Sequence, residues 1–390
     1  MKLLSLLSLL STASAVLIPA PNGPYPVSVT VKALTDGSRI DPYAPANNPH
    51  KREVLVSLFL PIDRKQTSFA KRTIPYMTPA VAADYGELAA SVGLPNTTFA
   101  AFEVESSVIV PEKSCGSKGP SGKKSSIPVV LFSPGGGQSR LVYNTMARSL
   151  ASEGYAVVTI DHPYDASVVE FPNGKIIKTV GISDEDIPAL TKLTQVRAQD
   201  SSFVLDELKS PKTFAKELAA HNIALDFTNV LMYGHSQGGA TAALAMLSDR
   251  RIKGGVNMDG RFFGSVMTKG LSRPFALLGR PDHGADDETW PQTFAKLRGS
   301  RFEMEVADTM HGSFTDFPIL VDTLDLPEEA KKGAAMLFGA ASGKQMDKVV
   351  KGVMLAMHEL VSGDKKVPAV LKKGQKQISG LTVLQSDVRK

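Results

Sequence analysis

The stretch LMYGHSQGGATAALAML, residues 231–247, passes from an apolar run through a glycine-flanked serine into an alanine-rich segment. The first part has the composition of a buried strand and the last part that of a helix, so the pattern G-x-S-x-G falls on a tight strand-to-helix turn. A serine at such a turn is held in a strained backbone conformation, and the flanking glycines let strand and helix approach each other. The pattern therefore predicts a nucleophile elbow with Ser236 as the nucleophile.

Short β-branched runs alternate with helical patterns on both sides of this turn. The predicted strands are IPVVLFS (127–133), YAVVTID (155–161), NVLMY (229–233), KGGVNMD (253–259), PFALLG (274–279) and FEMEV (302–306). Parallel neighbours need crossover connections, so strands separated by helices imply a mostly parallel sheet with helices on both faces. The predicted class is α/β, with the elbow indicating the α/β-hydrolase fold, and the chemistry is expected at the carboxyl ends of the strands.

The 390 residues, 43 % of them hydrophobic, are enough for one large globular core. Residues 1–15, MKLLSLLSLLSTASA, have the lysine, apolar run and small-residue ending of a cleaved secretory signal, so a secreted mature chain is expected. Residues 16–390 are predicted to form a single domain. Within it we expect an irregular insertion at about 62–126, a lid at about 165–225, and C-terminal helices with a basic tail over 327–390.

Charge and cysteine content argue against several other classes of protein. The net charge of +5 is mild and its lysines cluster in turn-rich segments without interleaved aromatics, so no nucleic-acid partner is expected, although weak contact with an anionic membrane surface is compatible. Cys115 is the single cysteine, which excludes an intramolecular disulfide. Asn96 opens the one glycosylation sequon. With no H-E-x-x-H motif and no paired cysteines, neither a metal nor a cofactor is expected.

A serine hydroxyl needs a base to remove its proton. Among the seven histidines, His311 follows the last predicted core strand, at the edge where the other loops converge, and it is the predicted base. His162, directly after the strand that ends at Asp161, is the rival. His235 lies beside the serine on the elbow, and its side chain is expected to point away along the strand.

The base in turn needs an acid that holds the imidazole in one tautomer. Asp259 ends the strand after the elbow helix, and Asp282 follows the next strand, with Asp286 and Asp287 as weaker options. All of these aspartates keep the chain order serine, acid, histidine that this fold uses. Topology alone leaves Asp259 and Asp282 open.

The segment LFSPGGGQSR, residues 131–140, leaves a predicted core strand with three consecutive glycines. Backbone N–H groups in such a loop can approach a substrate without obstruction by side chains. We therefore expect the N–H groups of Gly136 and of Gln237, the residue after the serine, to donate to the oxyanion. A phosphate-binding loop is disfavoured because no G-K-[ST] motif follows.

Six segments together resemble the platelet-activating factor acetylhydrolase family of α/β-hydrolases, in particular its secreted fungal members. They are, in chain order, LFSPGGGQSR, EGYAVVTIDHPYDAS, GHSQGG, VNMDGRFFG, RPFALLG and HGSFTDFPIL. The resemblance covers about residues 125–320, with weaker agreement over 25–85. It implies a cofactor-independent serine esterase that acts on a short-chain acyl ester of a small or phospholipid substrate, most like a 1-alkyl-2-acetylglycerophosphocholine esterase.

The same resemblance bears on the site residues. In this family the acid follows the strand after the elbow, which favours Asp259 over Asp282, and the family histidine corresponds to His311. The oxyanion residue falls at Gly136, where the animal members carry a larger side chain. Two other functions stay open: a broader lipase, polyester or secondary-metabolite ester or lactone hydrolase, and a hydrolase-fold protein that binds without catalysis.

Overall fold

The computed structural model describes residues 15–63, 68–110, 124–363 and 368–389. In these ranges the strands are β1 (Val16–Ile18), β2 (Val27–Ile40), β3 (Lys51–Pro61), β4 (Phe69–Pro75), β5 (Phe102–Ile109), β6 (Ser125–Ser133), β7 (Ala156–Asp161), β8 (Val168–Glu170), β9 (Ile176–Lys178), β10 (Ile223–His235), β11 (Ile252–Met258), β12 (Phe275–Gly279), β13 (Arg301–Val306) and β14 (Leu381–Asp387). The α-helices are α1 (Pro79–Ser91), α2 (Thr98–Ala101), α3 (Asn144–Ala151), α4 (Ile187–Lys209), α5 (Ala215–Ala220), α6 (Gln237–Ser248), α7 (Val266–Lys269), α8 (His283–Asp286), α9 (Thr289–Lys296), α10 (Phe317–Thr323), α11 (Glu328–Phe338), α12 (Gly343–Val361) and α13 (Ala369–Lys373). Short 3-10 helices are formed by Arg140–Tyr143, His311–Phe314 and Gly374–Lys376.

The main sheet of the described residues has the strand order β14-β13-β12-β11-β10-β6-β7-β3-β2. Neighbours from β13 through to β7 pair in parallel, whereas β14 at one edge and β3 and β2 at the other are antiparallel. The carboxyl ends of the parallel strands therefore meet at one edge of the sheet. This is the mostly parallel architecture predicted from the sequence.

Strand β6 shows why its sequence predicts a central strand. Val129 and Leu131 point to the face covered by α4 and α6, whereas Val130 and Phe132 point to the face covered by α3 and α12. All four side chains are completely buried. A strand that is covered on both faces has no polar alternation, so it appears in the sequence as an uninterrupted apolar run.

The sequence predicts an irregular insertion at about residues 62–126, and this prediction is wrong for much of that segment. It contains β4, α1, α2 and β5, and these strands join β1 in a small sheet with the order β1-β5-β4. The apolar residues of this unit, including Val81, Tyr85 and Phe102, belong to the same core cluster as α3. Short strands whose partners lie far away in the sequence carry weak local periodicity, which explains the error.

The C-terminal tail and the expected lid also differ from their sequence descriptions. The polar tail contains β14, which pairs antiparallel with β13 and closes that edge of the main sheet. Within the lid segment, residues 165–225, helix α4 is a crossover helix packed against α6, with Val204 and Leu205 completely buried. A lid role for the remainder of that segment stays a prediction.

No helix within the described ranges combines the length and the apolar composition that a bilayer crossing requires. The predicted signal lies at residues 1–15, of which 1–14 fall outside the described residues. Val16–Ile18, the predicted start of the mature chain, pairs in parallel with β5.

Candidate active site

Ser236 lies on a sharp turn between β10, which ends at His235, and α6, which begins at Gln237. Its backbone has φ 55° and ψ −126°, a conformation that costs free energy for any residue with a side chain. The turn is possible because Gly234 and Gly238 have no side chains: a Cβ atom on Gly234 would lie 2.2 Å from the carbonyl oxygen of Gly238. The strand and helix thus approach closely at Gly238, as the elbow pattern predicts.

Asp259 directly follows β11, the strand next to β10, and its side chain is buried. Its Oδ2 accepts a hydrogen bond of 2.6 Å from Nδ1 of His311. The His311 side chain remains 52 % exposed. With Nδ1 engaged by a carboxylate, Nε2 is the ring nitrogen left to exchange a proton with a reactant.

Ser236 is held close to this pair through the backbone. Its N–H donates to the carbonyl oxygen of Met258, the residue before Asp259, at 2.8 Å. Its hydroxyl makes no hydrogen bond to another residue of the described ranges. Hydrogen bonds between nucleophile and base are often long without substrate and shorten in the reacting complex.

His235 contacts His311 instead of pointing away, which corrects the sequence expectation. Its Nε2 donates to the backbone carbonyl of His311 at 3.0 Å, and the two rings lie 4.5 Å apart. Burial first, and the neighbouring His311 second, hold the pKa of His235 well below its ordinary value. A neutral ring with Nε2 protonated leaves Nδ1 to accept a hydrogen bond, and Tyr143 Oη lies 2.8 Å from it. His235 therefore positions the backbone of the candidate base.

A second imidazole lies against the candidate acid. His283 Nδ1 is 2.9 Å from Asp259 Oδ1, and the two side chains form an ion pair. Its Nε2 lies 3.4 Å from Asp287 Oδ2, and its ring packs against Trp290. Oδ1 of Asp259 also accepts the N–H of Arg280 at 2.8 Å. His283 lies four residues after β12, a position that indicates only a loop in the sequence, so it was not among the predicted site residues.

These contacts keep the candidate acid ionised. Burial alone would raise the pKa of Asp259, but its contacts with His283 and His311 outweigh burial and lower that pKa well below its usual range. For His283, burial opposes the charged form, yet Asp259 and Asp287 raise its pKa to about 9. A carboxylate that stays charged can hold the tautomer of His311 and stabilise an imidazolium beside it.

The glycine loop presents one uncommitted N–H group next to the elbow. The N–H of Gly135 donates to Tyr143 Oη at 3.1 Å, and that of Gly137 donates to Asp165 Oδ1 at 3.2 Å. The Gly136 N–H between them has no partner among the described residues. A Cβ atom on Gly136 would lie 2.8 Å from Oε1 of Gln237, so the two expected oxyanion donors belong to residues in contact.

Arg197 of α4 anchors this loop, and sequence reasoning missed it. The buried guanidinium donates to the carbonyl oxygens of Pro134 at 2.6 Å and Gly135 at 3.0 Å, and it pairs with Asp165. These contacts hold the carbonyl groups of Pro134 and Gly135 toward Arg197. An arginine within the buried, apolar face of a long helix is the signal that could have identified it.

The structure separates the other candidates from the elbow. His162 is buried and bound between Ser133 and Asp200. Asp282 is exposed and occupies the position before α8 with φ 60°. Asp286 pairs with Arg280 at the surface, and Asp287 contacts His283.

The remaining sequence predictions lie outside this site. Asn96 is exposed in the turn between α1 and α2, whereas Cys115 falls outside the described residues. Among the residues described, no group of three or more His, Cys, Asp or Glu side chains is arranged to hold a metal ion.

An elbow serine at the carboxyl edge of this sheet, with loops converging from β6, β11 and β13, defines the molecule as an α/β-hydrolase. The family model described as "Platelet-activating factor acetylhydrolase, isoform II" matches residues 10–326. The chain belongs to this family and is a carboxylic ester hydrolase, as predicted from the sequence.

Individual relatives agree with this assignment. A protein of Arthroderma benhamiae named probable 1-alkyl-2-acetylglycerophosphocholine esterase is 32 % identical over 326 residues, which cover 80 % of this chain and 79 % of that protein. The platelet-activating factor acetylhydrolase of Bos taurus is 22 % identical over 219 residues, covering 49 % of this chain and 48 % of that protein. Among solved structures, a ferulic acid esterase from Streptomyces cinnamoneus matches with a TM-score of 0.72 and 27 % identity, covering 95 % of this chain and 100 % of its own.

Proposed function

We propose that this protein is a secreted serine esterase that removes a short acyl chain from a glycerophospholipid, with an activity most like that of a 1-alkyl-2-acetylglycerophosphocholine esterase. The observation that carries the proposal is the Asp259–His311 hydrogen bond of 2.6 Å beside the strained elbow serine. Family membership and the A. benhamiae relative support the substrate class.

In this mechanism Ser236 Oγ attacks the ester carbonyl while Nε2 of His311 accepts the hydroxyl proton. Asp259 holds Nδ1–H of the same ring and stabilises the imidazolium that forms. The protonated Nε2 then delivers its proton to the leaving alkoxide, which departs as the alcohol and leaves an acyl-enzyme. A water molecule attacks the acyl group, His311 takes its proton, and the carboxylic acid is released as Ser236 Oγ recovers a proton.

The negative charge that develops on the carbonyl oxygen needs donors that are already in place. The N–H of Gly136 and the N–H of Gln237, at the start of α6, fill this role in the proposal. The loop is held by Arg197 and Asp165, so little reorganisation is needed when the charge appears. The positive end of the α6 dipole adds to the same effect.

An acyl-chain-length series tests the substrate class. Glycerophosphocholines with an ether-linked chain at position 1 and acetyl to palmitoyl groups at position 2 would be assayed with the purified protein. We expect turnover of the acetyl ester and a steep loss of kcat/KM beyond short chains. Strong activity on the long-chain esters would contradict the acetylhydrolase-like proposal. The Ser236→Ala variant, prepared in parallel, measures hydrolysis that does not depend on the site.

The similarity to the ferulic acid esterase over 95 % of this chain favours a second candidate function, hydrolysis of small aryl or secondary-metabolite esters. Methyl ferulate and acetyl glycerophosphocholine would therefore be compared by kcat/KM under identical conditions. A higher value for the ferulate ester would replace the first substrate class with the second. A non-catalytic role would require that a fluorophosphonate probe fail to label Ser236.

Secretion is part of the proposal and has its own test. The lysine, apolar run and small-residue ending of residues 1–15 support export and cleavage. Expression with the native leader, followed by mass spectrometry of the protein in the medium, is expected to show an N-terminus at Val16. Retention of an uncleaved chain in the cells would contradict this proposal.

A further inference from the structure

A hydrogen-bonded chain of two side chains connects the glycine loop to the loop that carries the candidate base. The side chains are Tyr143, at the end of the 3-10 helix that follows the glycine loop, and His235, at the end of β10. Tyr143 Oη accepts the N–H of Gly135 at 3.1 Å and lies 2.8 Å from Nδ1 of His235. Nε2 of His235 donates to the backbone carbonyl of His311 at 3.0 Å. The chain therefore reaches both backbone segments that the proposed reaction needs, the one next to Gly136 and the one that holds His311.

Hydrogen-bond chemistry fixes where each proton of this chain lies. A carbonyl oxygen only accepts, so Nε2 of His235 carries the single proton of the neutral ring and Nδ1 must accept one. Burial holds the pKa of Tyr143 well above its ordinary value, so its hydroxyl keeps the proton that Nδ1 needs. Gln138 Oε1 also lies 2.6 Å from Tyr143 Oη. That side-chain amide can turn its NH2 group toward the oxygen, whereas the ring nitrogen has no second atom to offer.

The two side chains are packed tightly against the glycine loop. Tyr143 is completely buried, and its ring centre lies 4.5 Å from that of Phe132 on β6. A Cβ atom on Gly135 would lie 3.3 Å from both His235 Nδ1 and Tyr143 Oη, so the backbone of the loop lies directly against the pair. Buried polar groups that move away from each other lose their hydrogen bonds without gaining water. The chain therefore resists displacement of either loop.

We propose that Tyr143 is a positioning residue that holds the glycine loop and the base in register with each other. Its hydroxyl holds the N–H of the residue before Gly136, and it fixes the tautomer in which His235 holds the carbonyl of His311. Both segments must be aligned at once, because a misplacement of about 1 Å can cost about 100-fold in rate. The inference rests on the proposed function, since it assumes that Ser236 and His311 carry the reaction.

Steady-state kinetics with p-nitrophenyl acetate test the proposal. Tyr143→Phe keeps the ring and removes the hydroxyl, and kcat is expected to fall by about 10- to 100-fold because the two loops lose their alignment. KM is expected to change by less than about threefold, since only the transition state uses both loops at once. Each kcat is expressed per molecule that a fluorophosphonate labels, so unfolded protein is not counted.

A second tyrosine–histidine pair of the chain supplies the matched control. Tyr155 Oη lies 3.1 Å from Nδ1 of His358, and Tyr155 directly precedes β7, at the edge of the sheet opposite to the elbow. Tyr155→Phe removes the same kind of contact and is expected to keep the wild-type kcat. An equal loss of kcat in both variants would overturn the inference. So would a wild-type kcat for Tyr143→Phe, even with a lower Tm, because the hydroxyl would then be structural only.

Ser236→Ala separates this result from a failure of the proposed function. A rate that Ser236→Ala abolishes and Tyr143→Phe leaves unchanged would overturn the inference alone. A wild-type rate for Ser236→Ala would overturn the proposed function and, with it, this inference.

The tautomer of His235 gives a test that does not depend on turnover. Nuclear magnetic resonance spectra of protein labelled with 15N-histidine distinguish a protonated ring nitrogen from an unprotonated one, and the signals of His235 are those missing from His235→Gln. Wild type is expected to show a protonated Nε2 and an unprotonated Nδ1 at neutral pH, and Tyr143→Phe a mixture of both tautomers. A wild-type His235 ring protonated at Nδ1 would overturn the inference.

Discussion

Two serine–histidine–aspartate groups lie at the carboxyl edge of the same sheet, on neighbouring strands. In the first, Ser133 Oγ is 3.0 Å from Nε2 of His162, whose Nδ1 is 2.9 Å from Asp200 Oδ2. In the second, Ser236 sits beside the hydrogen-bonded pair of His311 and Asp259. The first group has the more complete hydrogen-bond chain, yet its three side chains are buried.

The two groups also differ in the charges and hydrogen-bond partners that surround them. Burial first of all lowers the pKa of His162, and Asp200 is committed to ion pairs with Arg52 and Arg39. The His311 side chain is 52 % exposed, its Nδ1 donates to Asp259, and its ring packs against that of His235. We therefore predict that a hydrogen-bonded chain of the right residue types is insufficient for catalysis, and that the nucleophile must also be held by the elbow where a substrate can reach it.

The largest expected effect contrasts the two serines. Ser236→Ala is expected to reduce kcat/KM by about 10⁴-fold or more, because the acyl-enzyme cannot form. Ser133→Ala is expected to keep near wild-type kcat/KM and to lower the free energy of unfolding by about 1 kcal/mol through loss of a buried hydrogen bond. Steady-state kinetics and urea denaturation of both variants check this. A wild-type rate for Ser236→Ala would exclude the proposed nucleophile.

The next contrast is between the two aspartates that topology alone left open. Asp259→Asn is expected to reduce kcat by about 10³–10⁴-fold, because an amide favours the wrong tautomer of His311. Asp282→Asn alters an exposed side chain and is expected to retain near wild-type turnover. Kinetics with an activated ester check both variants. If Asp282→Asn lost turnover and Asp259→Asn kept it, Asp282 would be assigned as the acid instead.

Removing the acid of the buried group should affect stability and leave catalysis unchanged. Asp200→Asn leaves the buried Arg52 without this partner, so the free energy of unfolding is expected to fall by about 3–5 kcal/mol. Urea denaturation measures the loss. Titration with a fluorophosphonate counts the folded, reactive molecules, and kcat per labelled molecule is expected to match wild type. A lower value would mean that the buried group takes part in turnover.

The smallest expected effect concerns the pH dependence that His283 confers. Its pKa is raised from 6.5 to about 9 in the folded protein, so its stabilisation is fully present below pH 6.5 and is lost as the pH rises through about 9. His283→Gln is expected to lower Tm at pH 6 and to have little effect at pH 10. Thermal unfolding across this range checks the sign. A difference in Tm between wild type and His283→Gln that grew with pH would contradict the ion pair between His283 and Asp259.

Much of the catalytic half could be predicted from the sequence because its signals are local. The predicted helix at residues 237–248 matches α6, and the predicted strand at 302–306 lies within β13 (Arg301–Val306). The small sheet was missed because β1 and β5 pair across 86 residues of sequence. Its strands are short and carry no elbow or glycine loop to identify them.

By itself, the sequence determined the elbow at Ser236 and the order of strands and helices around it, since apolar periodicity and glycine geometry act over a few neighbouring residues. It did not decide which aspartate contacts His311, nor that His235 would hold the backbone of that histidine. Asp259 and His311 are 52 residues apart, and only the side-by-side packing of β11, β12 and β13 brings them together. The tertiary structure also placed His162 inside the protein, because burial depends on the whole set of elements that cover a residue.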